Sequence, residues 1–463
     1  MKRSGAFFFF SLLISVMALI DGCTTLPNVT EMMDMMPTLQ RPPKIDSAEG
    51  LLSPQQSNAI VEKLKRSVDP TDVLVRHIAF VESLTESTLT KGNKVTLLAD
   101  GEATYGAMFK IIRDAKDHIN LESYIIEDDE TGRTFADVLL QKQADGVQVN
   151  LIYDSVGSIN TPDAFFQRLR DGGIQVVGFN ALNPLKAGGN WGLTHRDHRK
   201  ILIVDGRVAI IGGINISEVY SSSLFRPKQN EQAPIRWRDT DIQIEGPVVA
   251  EFQNFFMDTW LNQKGPELLG RNYFPDLKES GKALVRAVAS TPGETNRISF
   301  VVYVSALSFA KYSIHMTNSY FIPDVQIIKA LTDAAERGVD VKILLPGTTD
   351  SQLALYAQRS SYSDLLKSGV KLYEHGTRLL HAKTAVIDEV WSTVGSTNMD
   401  SMSMLTNDEV NAVILNHEFA VEMEIMFARD LADSKQIQWE EWKQRPLILR
   451  LREWFIHLFA RWL

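Results

Sequence analysis

The sequence predicts an α/β fold of two similar layered domains, related by a pseudo-twofold axis, with an active site at their interface. Two repeats predict this fold. A His-x-Lys-x-x-x-x-Asp motif occurs in "HRKILIVDG" from His198 and again in "HAKTAVIDE" from His381. The strands and helices expected before each motif also follow one order. Two similar halves indicate duplication, and a site between them would receive one motif from each half.

The size and charge of the chain limit its function. At 463 residues it is long enough for two or three domains, and 44% hydrophobic and 23% charged residues indicate a globular protein. The net charge of −9 argues against a protein that coats nucleic acid, because such proteins usually carry a basic face. An anionic substrate would therefore need a local basic site.

The N-terminal segment resembles a bacterial lipoprotein signal. Lys2 and Arg3 precede an apolar run over residues 6–20, which is short for a membrane span, and the only cysteine, Cys23, follows. In this interpretation Cys23 is lipidated, and the protein is a membrane-anchored, exported lipoprotein on the periplasmic face of the outer or inner membrane. The alternatives are an uncleaved anchor or a buried cysteine, and Asp21 departs from the small or apolar residue usual at that place.

Five segments are expected along the chain. Residues 24–70 are rich in Met, Pro, Ser and Gln and show little periodicity, which is typical of a tether. The predicted segments are a lipoprotein-type signal (1–23), the tether (24–70), a first domain (71–275), a second domain (276–445) and a C-terminal amphipathic helix (446–463).

Each half is expected to begin with a strand, a helix and a second strand. The first half reads "INLESYII", "TFADVLLQKQADG" and "VQVNLIYD", and the second reads "HMTNSYFI", "VQIIKALTDAAERG" and "VDVKILLPG". Gly146 and Gly338 end the two helices and fit left-handed C-caps. A further apolar stretch, "GIQVVGFN" or "GVKLYEHG", then leads towards the motif. This β-α-β order with short connections predicts an α/β layered fold in each half.

The repeated motif points to phosphodiester chemistry. Side chains alternate along a strand, so His198 and Lys200 share one face, as do His381 and Lys383. An imidazole can act as a nucleophile or carry a proton, and an ammonium group binds a phosphate oxygen. One histidine would attack phosphorus while the other protonates the leaving oxygen, with no metal or cofactor required. The predicted phosphate-binding residues, spaced alike after each histidine, are Gly213, Asn215, Ser396 and Asn398.

Other hydrolytic sites fit poorly. A histidine and a lysine two residues apart are not a zinc pair, because a protonated lysine does not bind metal, and the chain has no cysteine cluster. The chain also lacks the G-x-S-x-G sequence of serine hydrolases.

From Gly92 onward the sequence resembles the phospholipase D superfamily, most closely its bacterial cardiolipin synthases. The resemblance lies in both His-x-Lys motifs, in "GGINIS", "GSTNMD" and "NDEVN", and in "WRDTDIQIEGPVV". It implies two phospholipase D-type domains in which His198 is the nucleophile that forms a phosphohistidine, and His381 is the general acid. The motif residues assigned to the catalytic set are His198, Lys200, Asp205, His381, Lys383 and Asp388.

The resemblance also implies acidic residues that orient the two imidazoles. Glu409 matches such a partner, and Asp239 is the expected counterpart for His198. Asp205 and Asp388, although part of the motif, are expected to support the turn after each strand. His195 is interpreted as a loop histidine or a substrate contact.

The implied function is phosphatidyl transfer. A phosphatidyl group held on His198 would pass to the glycerol headgroup of phosphatidylglycerol, giving cardiolipin, and the donor would be phosphatidylglycerol or phosphatidylethanolamine. The alternative is a phospholipase D with water as acceptor, and a nuclease or other phosphodiesterase of the superfamily is disfavoured by the acidic charge. Phospholipids and a membrane surface are the expected partners, without nucleic acid or metal.

The last stretch, "RPLILRLREWFIHLFARWL", predicts an amphipathic helix. Arginines interrupt an apolar stripe with helical spacing, which favours an interfacial membrane helix, while the alternative is a helix packed on its own domain. The apolar stripe comprises Leu447, Leu451, Trp454, Phe455, Leu458, Phe459 and Trp462.

Overall fold

The structure is a computed structural model. It describes residues 26–35, 42–85, 87–181, 192, 194–221, 236–294 and 297–459. Cys23 and Trp462, for which the sequence predicts lipidation and a place in the apolar stripe, lie outside these residues. Within the described residues, no helix has both the length and the apolar character needed to cross a bilayer.

The residues before the first half form helices and a small hairpin. The elements are α1 (Val29–Met35), β1 (Ile45–Ser47), β2 (Gly50–Leu51), α2 (Pro54–Lys65), a π-helical turn (Val73–His77) and α3 (Ile78–Leu84). Ser53 begins α2 with a capping box, because its hydroxyl accepts from the Gln56 amide while the Gln56 side chain accepts from the Ser53 amide. Val29 is fully buried against the second half. This packing differs from the tether predicted for residues 24–70.

The first half contains a seven-stranded mixed sheet, two further strands of two residues each, and helices. Its strands are β3 (Leu89–Leu98), β4 (His118–Ser123), β5 (Gln148–Asp154), β6 (Gln175–Phe179), β7 (Arg196–Asp197), β8 (Lys200–Val204), β9 (Val208–Gly212), β10 (Trp237–Arg238) and β11 (Asp241–Glu245). Its helices are α4 (Gly101–Asp114), α5 (Glu130–Ala144), α6 (Asp163–Asp171), a 3₁₀ turn (Glu218–Tyr220) and α7 (Val249–Asn262). The sheet order is β6-β5-β4-β8-β9-β11-β3, parallel across β4, β5 and β6 and antiparallel elsewhere.

The second half repeats this topology. Its strands are β12 (Ala283–Ser290), β13 (Ser313–Thr317), β14 (Asp340–Pro346), β15 (Lys371–His375), β16 (Leu379–Leu380), β17 (Thr384–Ile387), β18 (Trp391–Gly395), β19 (Asn407–Leu415) and β20 (Ser434–Ile437). Its helices are α8 (Ile298–Phe309), α9 (Val325–Glu336), α10 (Gln352–Ser360), α11 (Tyr362–Lys367), α12 (Ser401–Leu405), α13 (His417–Ala432), α14 (Trp439–Trp442) and α15 (Leu447–His457). The order β15-β14-β13-β17-β18-β19-β12 matches the first sheet strand for strand, with β20 added beside β15. The predicted α/β fold of two similar halves is confirmed.

Local chemistry explains the repeated β-α-β units. Gly146 and Gly338 both have φ of 91°, which a residue without Cβ adopts at low cost, so both predicted C-caps are confirmed. Asp129 and Asp324 begin the two corresponding helices by accepting backbone N–H groups. Strands β4, β5 and β14 of these units are almost wholly buried, because helices cover both faces of the parallel part of each sheet.

The two sheets join edge to edge and share a core. Strand β3 pairs antiparallel with β12, the equivalent strand of the other half. A hydrophobic cluster between the halves includes Ile201 and Ile211 from the first sheet and Val386 and Val394 from the second. This packing places β8 and β17, which follow the two motif histidines, in one shared hydrophobic core.

Two short strand pairs then connect each motif to the opposite half. Strand β7, just before His198, pairs with β19 of the second half, and β10 of the first half pairs with β16, just before His381. Arg238 on β10 also forms a buried two-bond ion pair with Asp430 on α13, at 3.0 and 2.6 Å. Each histidine is therefore fixed by backbone from the half that does not contain it.

Candidate active site

The two motif histidines occupy equivalent positions ahead of β8 and β17. The His198 amide donates to the Asp408 carbonyl at 2.9 Å, and the His381 amide donates to the Arg238 carbonyl at 2.7 Å. Both acceptors immediately precede an acidic residue of the other half. The backbone alone therefore places each imidazole beside a carboxylate from the opposite repeat.

The carboxylates pair with the imidazoles crosswise. Both carboxylate oxygens of Glu409 lie 3.0 Å from His198 Nδ1, and Asp239 Oδ2 lies 2.6 Å from His381 Nδ1. The two imidazole-orienting residues are thus brought into the site, but the expected pairing of Asp239 with His198 is wrong. The short strand pairs turn each carboxylate towards the other motif, which the spacing along the chain does not reveal. A carboxylate on Nδ1 keeps that nitrogen protonated and leaves the Nε2 lone pair for chemistry.

Gly213 and Ser396 each lie against one of the two orienting carboxylates. A Cβ on Gly213 would lie 2.3 Å from Asp239 Oδ1, so only glycine leaves room for that carboxylate. In the other half Ser396 Oγ donates to Glu409 at 2.5 Å. Both residues were predicted to bind phosphate, but the structure places them against the orienting carboxylates.

The two lysines supply positive charge inside the protein. Lys200 Nζ donates to the His198 carbonyl at 2.6 Å, and Lys383 Nζ donates to the His381 carbonyl. Burial lowers the pKa of Lys200 to about 7 and that of Lys383 to about 8, against the opposing effect of Glu409. The charge of Lys383 further lowers the pKa of Lys200. The lysines of the two motifs therefore influence each other's charge and belong to one site.

Burial also keeps the imidazoles neutral and holds back the ionisation of Glu409. Desolvation, followed by the charges of Lys200 and Lys383, lowers the pKa of His198 well below its ordinary value. Desolvation and Lys383 lower the pKa of His381 to about 4, opposed by Asp239. Burial raises the pKa of Glu409 to about 7. The site thus disfavours cationic imidazoles until a negative charge enters it.

The two asparagines take part in buried hydrogen-bond networks. Asn215 Nδ2 donates to Tyr220 Oη at 3.1 Å, and its Oδ1 accepts from the Ile125 amide at 3.0 Å. Asn398 Oδ1 accepts from Ser319 Oγ at 2.7 Å. Both side chains are buried, and their predicted contact with phosphate stays a prediction.

The motif aspartates lie away from the chemistry. Asp205 accepts from the amides of Asp117 and His118, at 2.7 and 3.0 Å, and Asp388 accepts from the amides of Tyr312 and Ser313 at the same distances. Each aspartate lies seven positions after its histidine, roughly 20 Å along an extended strand. Although they belong to the predicted catalytic set, they serve as caps that fix the loops before β4 and β13.

Aromatic side chains line the site and were missed in the sequence. The ring of Tyr124 meets His198 edge-on at 5.0 Å, and the ring of Tyr320 meets His381 edge-on at 6.2 Å. Tyr220 and Trp237 also contact His381. The signal was present in the repeat, because Tyr124 and Tyr320 occupy the same place in "INLESYII" and "HMTNSYFI".

His195 and Arg199 contact the segment that carries Glu409. His195 Nε2 lies 3.1 Å from Asp408 Oδ2, beside the residue that orients His198. Arg199 is buried and donates through Nε to the Glu409 carbonyl at 3.3 Å and through Nη1 to Thr259 Oγ1 at 2.9 Å. Within the described residues, no group of three or more His, Cys, Asp or Glu side chains is arranged to hold a metal ion.

The chain matches a family model described as "Cardiolipin synthase, PLD-like domain" over residues 108–260 and 303–431. These two segments each contain one motif and its strands. The match covers more than half of the chain.

Curated relatives extend over most of the chain. It is 33% identical to a cardiolipin synthase of Alkalihalophilus pseudofirmus, over 85% of this chain and 76% of the relative. It is 35% identical to the major cardiolipin synthase ClsA of Bacillus subtilis, over 79% of this chain and 74% of the relative. It is also 35% identical to cardiolipin synthase A of Pseudomonas fluorescens, over 78% of this chain and 73% of the relative.

A solved structure supports the fold. The chain superposes on a phosphatidylserine synthase from Haemophilus influenzae with a TM-score of 0.57 and 14% identity, over 80% of this chain and 95% of the other. At this identity the similarity concerns the arrangement of the two halves alone.

The predicted localisation is wrong on these comparisons. The relatives from Bacillus subtilis and Pseudomonas fluorescens are named as cardiolipin synthases, and neither name describes a lipoprotein or an exported protein. The signal-like segment on which that prediction depended lies outside the described residues. An apolar run followed by a cysteine is a short pattern, and these relatives give no support to a lipoprotein or an exported protein.

Proposed function

The chain belongs to the cardiolipin synthase family of phospholipase D-like proteins, and we propose that it transfers a phosphatidyl group from one phospholipid to the glycerol headgroup of phosphatidylglycerol. The donor is phosphatidylglycerol or phosphatidylethanolamine, and the product is cardiolipin. One observation carries the proposal: two imidazoles, each held by a carboxylate of the opposite half, share one buried site with two lysines.

The first step forms a phosphohistidine on His198. Its Nε2 lone pair attacks phosphorus while Glu409 holds the Nδ1 proton. A phosphorus–nitrogen bond forms, the bond to the headgroup oxygen breaks, and His381 gives a proton to that oxygen. Glycerol leaves when the donor is phosphatidylglycerol, and ethanolamine leaves when it is phosphatidylethanolamine.

The second step reverses these roles. The terminal hydroxyl of a second phosphatidylglycerol attacks phosphorus, and His381 takes its proton. A phosphorus–oxygen bond forms and the bond to His198 breaks, so the free imidazole is regenerated. No net proton is gained or lost over the two steps.

The lysines and the substrate charge together set the protonation of His381. Alone, the site holds the pKa of His381 at about 4. A phosphodiester anion between Lys200 and Lys383 neutralises the charge that lowers this pKa, and so favours the imidazolium that must act as the acid. The ammonium groups also stabilise the charge that develops on the phosphoryl oxygens in the transition state.

The products of the reaction test this function. Purified protein is incubated with vesicles of phosphatidylglycerol and phosphatidylethanolamine that carry different isotopes in their headgroups, and the products are identified by mass spectrometry. His198→Ala serves as the inactive control. Cardiolipin with labelled glycerol or ethanolamine supports the transferase and identifies its donor, whereas phosphatidate without cardiolipin would assign the acceptor as water.

A further inference from the structure

Helix α15 presents its apolar stripe to the outside of the protein. Six large apolar side chains, between 54% and 71% exposed, recur at positions that fall within about 120° of the helix circumference. These side chains, called here the outer face, are Leu447, Ile448, Leu451, Trp454, Phe455 and Leu458.

The opposite side of α15 attaches the helix to the protein. Glu453 is buried and forms an ion pair with Arg445 at 2.5 Å, and His457 Nδ1 lies 3.0 Å from Ser360 Oγ at the end of α10. Leu449 and Ile456 are half-buried on this side. Since the helix is already fixed by its polar side, the outer face is not the face that packs on the domain.

Positive charge borders the outer face. Arg450 and Arg452 are exposed, and at 100° per residue they lie on its two sides. An apolar face between arginines suits a surface with anionic headgroups above an apolar layer. The whole chain carries a net charge of −9, so this positive border is a local feature.

The outer face is also close to the active site. Helix α15 packs against α10, which begins two residues after Asp350. Asp350 accepts a hydrogen bond from Tyr320 Oη at 2.7 Å, and the Tyr320 ring contacts His381. A surface that touches α15 is therefore one helix away from the rim of the site.

We propose that the outer face of α15 docks on an anionic phospholipid bilayer, with the six apolar side chains below the headgroups and Arg450 and Arg452 among the phosphates. The choice of a lipid surface rests on the proposed function, whose substrates reside in one. Docking there would hold the rim next to Tyr320 against the layer from which the substrates come.

A local probe tests the docking. In a Cys23→Ser background, which removes the only cysteine, Leu451→Cys carries an environment-sensitive fluorophore, and Leu261→Cys on α7 is the matched exposed control. Vesicles of phosphatidylglycerol should raise the emission at position 451 at least threefold and expose it to quenching by lipid-borne spin labels. Position 261 should not change. Equal responses at both positions, or none at 451, would overturn the proposal.

The alternative to a bilayer is a second copy of the chain bound to the outer face. In that case emission at position 451 would rise with protein concentration in the absence of lipid and would not respond to vesicles, which overturns the proposal.

Arg450→Gln with Arg452→Gln should weaken binding to phosphatidylglycerol vesicles at least fivefold and leave the weaker binding to neutral vesicles unchanged. An equal loss on both lipids would contradict the role of the charge.

A second pair of measurements separates docking from chemistry. Leu451→Glu with Phe455→Glu should lower turnover on vesicles at least tenfold, yet leave turnover of short-chain phosphatidylglycerol below its micelle concentration unchanged. Leu261→Glu should affect neither. If the wild type turns over neither substrate, the proposed function has failed while the fluorescence result still decides the docking. Equal wild-type and double-variant rates on vesicles would contradict the docking.

Discussion

At the scale of single residues, the crosswise carboxylates give the two imidazoles separate tasks. Glu409 orients His198 and Asp239 orients His381, although each carboxylate belongs to the other half. Removing one carboxylate should therefore impair the step performed by a histidine more than 140 positions away.

A change of leaving group separates these tasks. Asp239→Asn should slow the first turnover of phosphatidylglycerol on the order of 100-fold, because His381 then protonates the headgroup oxygen poorly. The same variant should release the phenol of a phosphatidyl nitrophenyl ester at nearly the wild-type rate, since this leaving group needs no proton. Rapid-mixing kinetics measure both.

Glu409→Gln is the matched comparison. It acts on the nucleophile, so it should slow both substrates alike. If instead Glu409→Gln were rescued by the phenolic leaving group and Asp239→Asn were not, the assignment of the two histidines would have to be exchanged.

The buried lysines predict an unusual alkaline limit. Burial places the pKa of Lys200 at about 7 and that of Lys383 at about 8, below the ordinary lysine value of 10.5. As pH rises through these values the free enzyme loses its ammonium charges, so kcat/KM should fall between pH 7 and 8. Lys200→Arg keeps its charge and should move the limit towards 8. A limit near 10 in the wild type would contradict this account.

The sequence identifies the chemistry of the site better than its pairings. Both histidines and both lysines are found from motif spacing, and both orienting carboxylates from the family resemblance. The partner of each histidine depends on the strand pairs β7–β19 and β10–β16, which are contacts between residues far apart in the chain. The roles of Gly213 and Ser396 likewise depend on a carboxylate from another strand.

At the scale of secondary structure elements, the two motif aspartates show how a turn is stabilised. Asp205 has φ of 54° and Asp388 has φ of 50°, a left-handed conformation that aspartate and asparagine tolerate better than most residues. Each carboxylate accepts hydrogen bonds from the amides of three successive residues, the last of which is the first residue of β4 or β13. This arrangement fixes the first residue of the strand that lies beside the motif strand.

Asp205→Asn should therefore reduce stability rather than catalysis. The variant keeps the left-handed turn but loses charged hydrogen bonds, and should lower the free energy of unfolding by about 1–3 kcal/mol. The folded fraction should retain kcat within about twofold of wild type. Chemical denaturation and steady-state kinetics measure the two quantities, and a large loss of kcat in fully folded protein would return Asp205 to the catalytic set.

The elements that repeat were predictable, and those near the N-terminus were not. Gly146 and Gly338 mark helix ends because the conformation they require is local. Helix α1 depends instead on distant contacts: the Val29 amide donates to the Gln326 side chain at 2.8 Å, across 297 positions. Composition alone gives no sign of such a contact, so residues 24–70 read as a tether.

At the scale of the whole molecule, we expect the two halves to unfold as one cooperative unit. The cluster that contains Ile201 and Val386 is built from both sheets, and β3 pairs directly with β12. Separating the halves would expose this core and break the site at once. The predicted domain boundaries describe repeats of sequence rather than units expected to be stable alone.

Calorimetry tests this cooperativity. Thermal unfolding of the full chain should show one transition whose calorimetric and van't Hoff enthalpies agree. His198→Ala should leave the transition single. Two separated transitions would mean that each half has a sufficient core of its own and that the shared cluster contributes little.

The most direct test of the central claim is to locate the phosphatidyl group on the protein during turnover. In His381→Ala with a phosphatidyl nitrophenyl ester, the first step should proceed while transfer to the acceptor is slow, so the intermediate should accumulate. After an alkaline quench, peptide mass spectrometry should find the phosphatidyl mass on the peptide that contains His198, and His198→Ala should show none. A phosphatidyl group on another residue, or phenol release without any labelled peptide, would contradict the account.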